Sequence, residues 1–543
     1  MVFNNNTAIA LPWPTSPRAI ALTVIATITS IWLMQRWLEG NRQKEIERRF
    51  ALEHGCQPLR PWTAKWPLGL DFLVKALEFN KRKQILKFFL DVVEESGATH
   101  QQHLLGGRAV NTIDPENVKA VLSTNFNDYT LGLRTPHFRP LLGSGIFTQD
   151  GAAWEHSRQL LQPQFRYNRT QNFEQIKKSV QQLIDGIPKD GSPVNLQPLC
   201  FKLTFDTTMF LLFGESAVSA SDWGEVAGKE SEFAQAFNTA QDYLALRGRL
   251  GPFYWLLNDS TFRNACRTCH RFVDQAVSKA LKLSANKSSN SGKHDRDVDG
   301  GKAGYVFVDA LVQQTKDPQV IRDQCLNVLL AGRDTTGCAL QWTFRLLSRH
   351  QHVLSKLRAE VEQITGLGPL GEDAPLPTRD DLKKMVYLDM VIKEVLRLYP
   401  SVPVNAREAQ RLTVLPTGGG PDGKSPVLVR PGEGVGYCVY AMHRRKDIYG
   451  PDAHEFRPER WEEESMKPEN IGWAYRPFNG GPRLCLGKDF AELLVSYTVA
   501  RLVQVFPRIE APNGEPHVAV GDEKQNLTLV VSSADGCMVS LGY

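Results

Sequence analysis

The most restrictive stretch of this chain is ten residues long: Phe478-Asn479-Gly480-Gly481-Pro482-Arg483-Leu484-Cys485-Leu486-Gly487. The paired glycines permit a tight turn and close backbone approach to a neighbour. The turn delivers one cysteine to its end, and Phe478 stands where a ring can wall the sulfur off from water. Backbone N–H groups pointing at a sulfur favour its thiolate form. A helix is expected to start near Gly487 and run to about Phe506. The alternative for Cys485 taken alone is a buried free thiol in a glycine-rich turn. The other eight cysteines (Cys56, Cys200, Cys266, Cys269, Cys325, Cys338, Cys438 and Cys537) follow no regular spacing. That excludes a disulfide framework and points to a reducing compartment.

The N-terminus carries a different signal. Ala19 to Met34 is apolar apart from threonine and serine, and at 1.5 Å per residue spans roughly 24 Å. The run reaches membrane thickness by extending to Trp37 and Leu38, with Arg36 snorkelling. Trp32 and Trp37 suit one interface, Pro12, Trp13 and Pro14 the other. Arg18 precedes the run, whereas Arg36, Arg42, Lys44, Arg48 and Arg49 follow it, which puts residue 40 onward in the cytosol. The expected organisation is a lumenal N-terminus (1–18), a transmembrane anchor (19–38), a linker (39–69) and one large domain (70–543). The net charge of +5 is too mild for a dedicated nucleic-acid binder.

Within the domain, apolar residues three and four apart, such as Ile85 with Phe88 and Phe89, predict a mainly helical fold. Residues 284–304 hold one sizeable apolar side chain, Val298, and read as a flexible surface loop. Long helices are expected over roughly 318–350 and 378–399, the second stopping at Pro400. Short strands and turns are expected over 402–440, and a small β element at Leu527 to Val531. The fold class is therefore mostly α with minor β.

Four further groups carry chemistry. Glu394 and Arg397 share a helix face at i and i+3 and can pair, with Arg460 in Phe456-Arg457-Pro458-Glu459-Arg460-Trp461 downstream. Ala331-Gly332-Arg333-Asp334-Thr335-Thr336 puts a carboxylate beside a hydroxyl inside the long helix, and Gly332 with Thr335 can open that helix locally. Trp154 and Arg158 lie about one turn apart and can reach one acceptor. Arg407 follows Arg397 by ten residues. Cys266-Arg267-Thr268-Cys269-His270 matches a c-type haem signature, but its flanks (Phe262, Phe272, Val273, Val277) read as an amphipathic helix and the cytosolic topology argues against attachment, so it is read as coincidence.

The ten-residue run resembles the haem-binding loop of the cytochrome P-450 family, Phe-x-x-Gly-x-Arg-x-Cys-x-Gly, at every fixed position. The resemblance covers essentially the whole chain after the anchor. It implies the cytochrome P-450 fold and haem b, with Cys485 as the axial thiolate, Phe478, Gly481 and Gly487 shaping the loop, and Arg483 meeting a propionate. It implies a buried Glu394–Arg397–Arg460 cluster, propionate contacts from Trp154, Arg158 and Arg407, and proton delivery by Asp334 and Thr335. Trp461 departs from the phenylalanine usual there.

Narrower stretches, among them Gly145-Ile146-Phe147-Thr148-Gln149-Asp150-Gly151, Pro403-Val404-Asn405 and Tyr440-Ala441-Met442-His443-Arg444-Arg445, resemble the fungal microsomal members that hydroxylate n-alkanes and fatty acids. The implied activity is insertion of one oxygen atom from O2 into a hydrophobic substrate. Electrons would come from NADPH through a separate membrane-bound NADPH-cytochrome P-450 reductase, docking where Lys488 lies. The implied location is the endoplasmic reticulum membrane, single-pass, with the catalytic domain in the cytosol. A tailoring oxidase of a secondary-metabolite pathway is the alternative. Candidate pocket residues are Phe138, Leu141, Phe147, Leu329, Leu330 and Val402 to Val404.

Overall fold

One helix, Pro318–Leu347, organises the architecture. Its start is built as the sequence predicts: Pro318 occupies the first turn, and the Asp317 carboxylate accepts from the Gln319 N–H at 2.9 Å. From Ile321 onward it is buried on nearly every side, as a helix apolar around its circumference must be. It packs against the helices Leu196–Phe213, Ser260–Asn290, Val386–Leu398 and Lys488–Val505. The crossing with Leu196–Phe213 is close because two of its residues lack side chains. A Cβ on Gly332 would lie 2.4 Å from the Thr208 hydroxyl, and one on Gly337 2.5 Å from the Phe201 ring. The computed structural model describes residues 16–62, 66–104, 106–167, 169–188, 190–214, 223–290, 307–368, 375–516 and 518–542.

Among the described residues, β structure comprises a five-stranded sheet, a three-stranded sheet of Pro193–Asn195, Met538–Gly542 and Arg508–Glu510, and two short hairpins. The five-stranded sheet runs in the order Thr99–Leu104, Gly107–Thr112, Gly434–Cys438, Val404–Ala409, Tyr129–Thr130. The Gly107–Thr112 to Gly434–Cys438 pairing is parallel, and the others are antiparallel. The register sets Arg407 opposite Val435, with Arg407 on the buried side of its strand. Thr413–Gly419 pairs with Ser425–Val429, and Gln525–Leu527 with Val531–Ser533. The architecture is mostly helical with minor sheets, as the sequence indicates.

Four boundaries differ from expectation. The N-terminal helix runs unbroken from Pro17 to Glu53, well into the stretch expected as linker, because residues 39–53 are themselves strong helix formers. Among the described residues it is the one helix long and apolar enough to cross a membrane. The helix Ser260–Asn290 takes in residues 284–290 of the expected loop, while 291–304 lie outside the described residues. The helix expected over 378–399 is two, Arg379–Lys384 and Val386–Leu398, broken where Met385 turns into the core at 1% exposure. The small β element expected at Leu527 to Val531 is a hairpin from Gln525 to Ser533, with residues 528–530 as its turn.

The helix Val386–Leu398 carries Glu394 and Arg397, both fully buried. Arg397 donates to Glu394 through Nε (2.9 Å) and Nη2 (2.8 Å), a bidentate pair. Arg460 donates from Nε to Glu394 Oε1 at 3.0 Å, the Arg457 N–H to the same oxygen at 3.1 Å, and the Trp461 indole to Oε2 at 3.1 Å. The tryptophan that departs from the family pattern therefore adds a donor. The guanidiniums spend their remaining donors on the loops: Arg397 on the carbonyls of His443, Ala453 and Glu455, Arg460 on the carbonyls of Tyr449 and Asp452 and on the Asp452 carboxylate at 3.2 Å. Removing one partner of a buried charge cluster costs far more than removing a neutral donor at its edge. Arg460→Ala should lower unfolding free energy by about 3–5 kcal/mol and Trp461→Phe by about 1.5–3 kcal/mol, measured by urea denaturation. Equal losses for both would contradict the buried-charge account.

Candidate active site

The cluster reaches the cysteine loop through His443. Its Nε2 accepts the Arg476 N–H at 2.9 Å, so its proton sits on Nδ1 and goes to the Arg397 carbonyl at 3.1 Å. Burial first, and the neighbouring Arg397 second, push the His443 imidazole down to about 3, which keeps it neutral. Two residues on, the chain enters the loop. Asn479 and Gly481 both take positive φ (66° and 63°). A Cβ on Gly481 would lie 1.9 Å from the Leu122 carbonyl oxygen, so no side chain fits there. The Cys485 N–H donates to the Phe478 carbonyl at 3.1 Å.

The loop forms one wall of an interior cavity of ≈ 600 Å³. Cys485, Phe478, Arg483 and Gly487 line it, with Trp154, Arg158 and Arg407 from other elements and Thr335 from the central helix. Gly481, whose role is in the turn itself, does not. Burial pushes the Cys485 thiol up, opposed by the Gly487 N–H and the Arg158 guanidinium. The structure thus brings the expected residues of three distant motifs to one space.

The cavity also gathers more positive charge than it neutralises. Arg134, Arg158, Arg407 and Arg483 all reach it, yet among the described residues Asp150 is the only carboxylate paired with any of them, accepting from Arg483 at 2.7 Å. Arg134 and Arg407 both donate to the Asn405 side chain and the Ala406 carbonyl. Burial, then repulsion from Arg407, pulls Arg134 down to about 9 and Arg483 to about 10. An unneutralised guanidinium group in an enclosed space fits a ligand that carries carboxylates. A thiolate donor, apolar walls and this arginine cluster are together the complement of haem b.

Trp154 and Arg158 line the same cavity, and Arg158 also donates to the Leu484 carbonyl at 2.9 Å, bracing the residue before Cys485. Arg483 rather than Arg158 lies closer over the Trp154 ring, at 4.4 Å against 5.8 Å. Several expectations need correction. The central helix is not opened at Gly332, whose missing side chain serves the crossing with Thr208. The Thr335 hydroxyl donates back to the Ala331 carbonyl at 2.6 Å, the ordinary habit of a helical threonine. Asp334 does not line the cavity; it is buried behind it, Oδ1 held by Arg333 at 2.8 Å and Oδ2 unpartnered. Burial pushes its carboxyl up. Of the candidate pocket residues, Phe138, Phe147, Leu330, Val402 and Val404 line the cavity; Leu141, Leu329 and Pro403 do not, the two leucines being core. Cys266 and Cys269 are buried core thiols on one helix, and His270 bonds the Leu141 carbonyl.

A family model for cytochrome P450 matches residues 65–529. The chain belongs to the cytochrome P450 family. It is a haem-thiolate monooxygenase. It is 55% identical over 519 residues to a "Cytochrome P450" of Arthroderma benhamiae, spanning 95% of this chain and 98% of that one. It is 42% identical over 503 residues to "Cytochrome P450 52A13" of Debaryomyces hansenii (91% and 93%) and 40% identical over 517 residues to "Cytochrome P450 52A1" of Candida tropicalis (92% and 90%).

Sequence reasoning missed Arg134 in this P450. It sits in Leu133-Arg134-Thr135-Pro136-His137, which has no spacing that distinguishes it from a solvated basic residue. Only the fold reveals that it joins Arg407 and Arg483. The steric account of the loop is direct to test. Gly481→Ala should abolish incorporation of thiolate-ligated haem, read as loss of the reduced carbon-monoxide difference band. A variant with full haem content would refute it.

Proposed function

We propose that this P450 is a membrane-anchored hydroxylase of linear hydrocarbon chains, n-alkanes or fatty acids, with Cys485 as the haem ligand. The observation that carries the substrate class is the cavity wall away from the arginine cluster: Phe89, Leu211, Leu244, Val328, Leu330 and Leu529 offer a flexible chain apolar contact and few directional partners. Bound haem would supply dioxygen activation and oxygen insertion, with Cys485 as the residue that would hold its iron. The balanced reaction is RH + O2 + NADPH + H+ giving ROH, H2O and NADP+.

This chain's own residues orient and protonate. Arg134, Arg407 and Arg483 would hold the propionates, and Phe478 and Arg158 fix the cysteine loop. Thr335 presents its hydroxyl on the cavity wall, released from the Ala331 carbonyl during turnover, and Asp334 behind it, paired with Arg333, relays the proton. Electrons come from a NADPH-cytochrome P450 reductase at the face that carries Lys488, now paired with Glu492 at 3.7 Å. The apolar helix Ile20–Glu53 supports anchoring in the endoplasmic reticulum membrane with the domain in the cytosol.

Difference spectra of the ferric protein titrated with dodecane, lauric acid, oleic acid and a polycyclic compound test the substrate class. A low-to-high-spin shift with the linear chains is expected; a response confined to the polycyclic compound would favour a secondary-metabolite substrate instead. Asp334→Asn should lower kcat by roughly 10²-fold with substrate Kd unchanged, and Thr335→Ala should divert NADPH from product to peroxide. Unchanged coupling in both would remove them from proton delivery.

A further inference from the structure

Six of the charged residues on the cavity wall (Arg134, Arg158, Arg407, Arg476, Arg483 and Glu492) cluster around Arg407 and the cysteine loop. Arg249 does not. It projects from the last turn of the helix Trp223–Leu250, lines the same cavity, and is exposed to solvent, as is Gly248 beside it. Its hydrogen bond reaches Asn80 on the helix Leu70–Lys81, which buries only Phe72, so this end of the cavity borders the surface and is its mouth. The same helix crosses the central helix at Asn238, whose side chain accepts from Arg333 at 3.0 Å. Arg249 lies three turns further along, roughly 16 Å from that crossing. It therefore stands well along the helix from the Arg333 contact, with Leu211, Leu244, Val328 and Leu529 on the wall they share.

Its partners leave its charge available. Arg249 donates to the Asn80 side chain at 3.0 Å and to the Leu527 carbonyl, both neutral acceptors that orient the guanidinium between two other segments. Asp242, two turns back on the same helix, is the carboxylate whose charge acts on it. Asp242 also feels the charge of Lys83, and among the described ion pairs it makes none with Arg249. The mouth thus holds an oriented cation without a bound anion of its own.

We propose that Arg249 is the specificity-determining residue that receives the carboxylate of a fatty acid, leaving the methyl end of the chain to reach Cys485's side of the cavity. Arginine's fork suits a carboxylate. A carboxylate fixed at the mouth makes the distance to the reacting carbon a matter of chain length, so oxidation falls at or near the terminus. An alkane has nothing to offer Arg249 and enters without it. This assignment rests on the linear-chain reading above.

The test uses ferric holoenzyme of the wild type, Arg249→Ala, Arg249→Gln and Arg249→Lys, titrated with laurate, methyl laurate and dodecane, followed by product analysis. Arg249→Ala and Arg249→Gln should weaken laurate about tenfold or more, leave methyl laurate and dodecane unchanged, and spread hydroxylation inward from the terminal carbon. Arg249→Lys should retain part of the laurate affinity. Unchanged dodecane binding in the variants also shows that they are folded. Laurate affinity unaltered in Arg249→Ala, or lost in step with dodecane, overturns the assignment alone. A wild type that responds to dodecane but not laurate overturns it too and leaves the linear-chain reading intact, whereas no response to either chain overturns both.

Discussion

The structure depends on a buried negative charge. Glu394 is fully inaccessible to solvent and would be intolerable there alone. Two guanidiniums, a backbone N–H and an indole surround its two oxygens. Their other donors collect the carbonyls of the loops from His443 to Asp452. A charge that must be satisfied, and can be satisfied only by those loops in one arrangement, dictates where they go. Through His443 and Arg476 that arrangement is passed to the residues that lead into Phe478 and Cys485. The neutral imidazole is essential to the relay, because an imidazolium could not accept the Arg476 N–H.

The opposite sign governs the cavity. Arg134, Arg407 and Arg483 sit closer together than their own charges favour, with one carboxylate among them. Repulsion of this kind is tolerated where a later-binding partner resolves it, and it makes cofactor binding an electrostatic contribution to stability as well as a chemical requirement. The Arg158 bond to the Leu484 carbonyl couples this cluster to the position of the cysteine.

Much of this was legible in the sequence, for identifiable reasons. The cysteine loop, Glu394 with Arg397 and Arg460, and the central helix are local patterns whose chemistry leaves few alternatives, and the structure brings them together. What was missing was direction. Spacing put Trp154 and Arg158 on one face but could not tell that Arg158 also reaches a backbone carbonyl. The run from Ala331 to Thr336 was read as a helix that opens, yet Gly332 is explained by a neighbouring helix far away in sequence. Arg134 and Arg249 had no local signature, since their significance comes from which segments the fold sets beside them. The break at Met385 was hidden because a core methionine looks the same in a continuous helix.

The N-terminal helix continues as helix for fifteen residues past Leu38, about 22 Å, and Glu47 on that extension pairs with Arg430 at 2.7 Å, which itself joins Glu433 and, through it, Arg108. A tether of disordered chain would let the domain tumble over the bilayer. A stiff mast bolted to the body by an ion-pair cluster removes most of that freedom. With the anchoring proposed above, the cavity mouth assigned to Arg249 would keep a set attitude to the lipid surface, and substrate partitioned into the membrane would meet an entrance that does not wander.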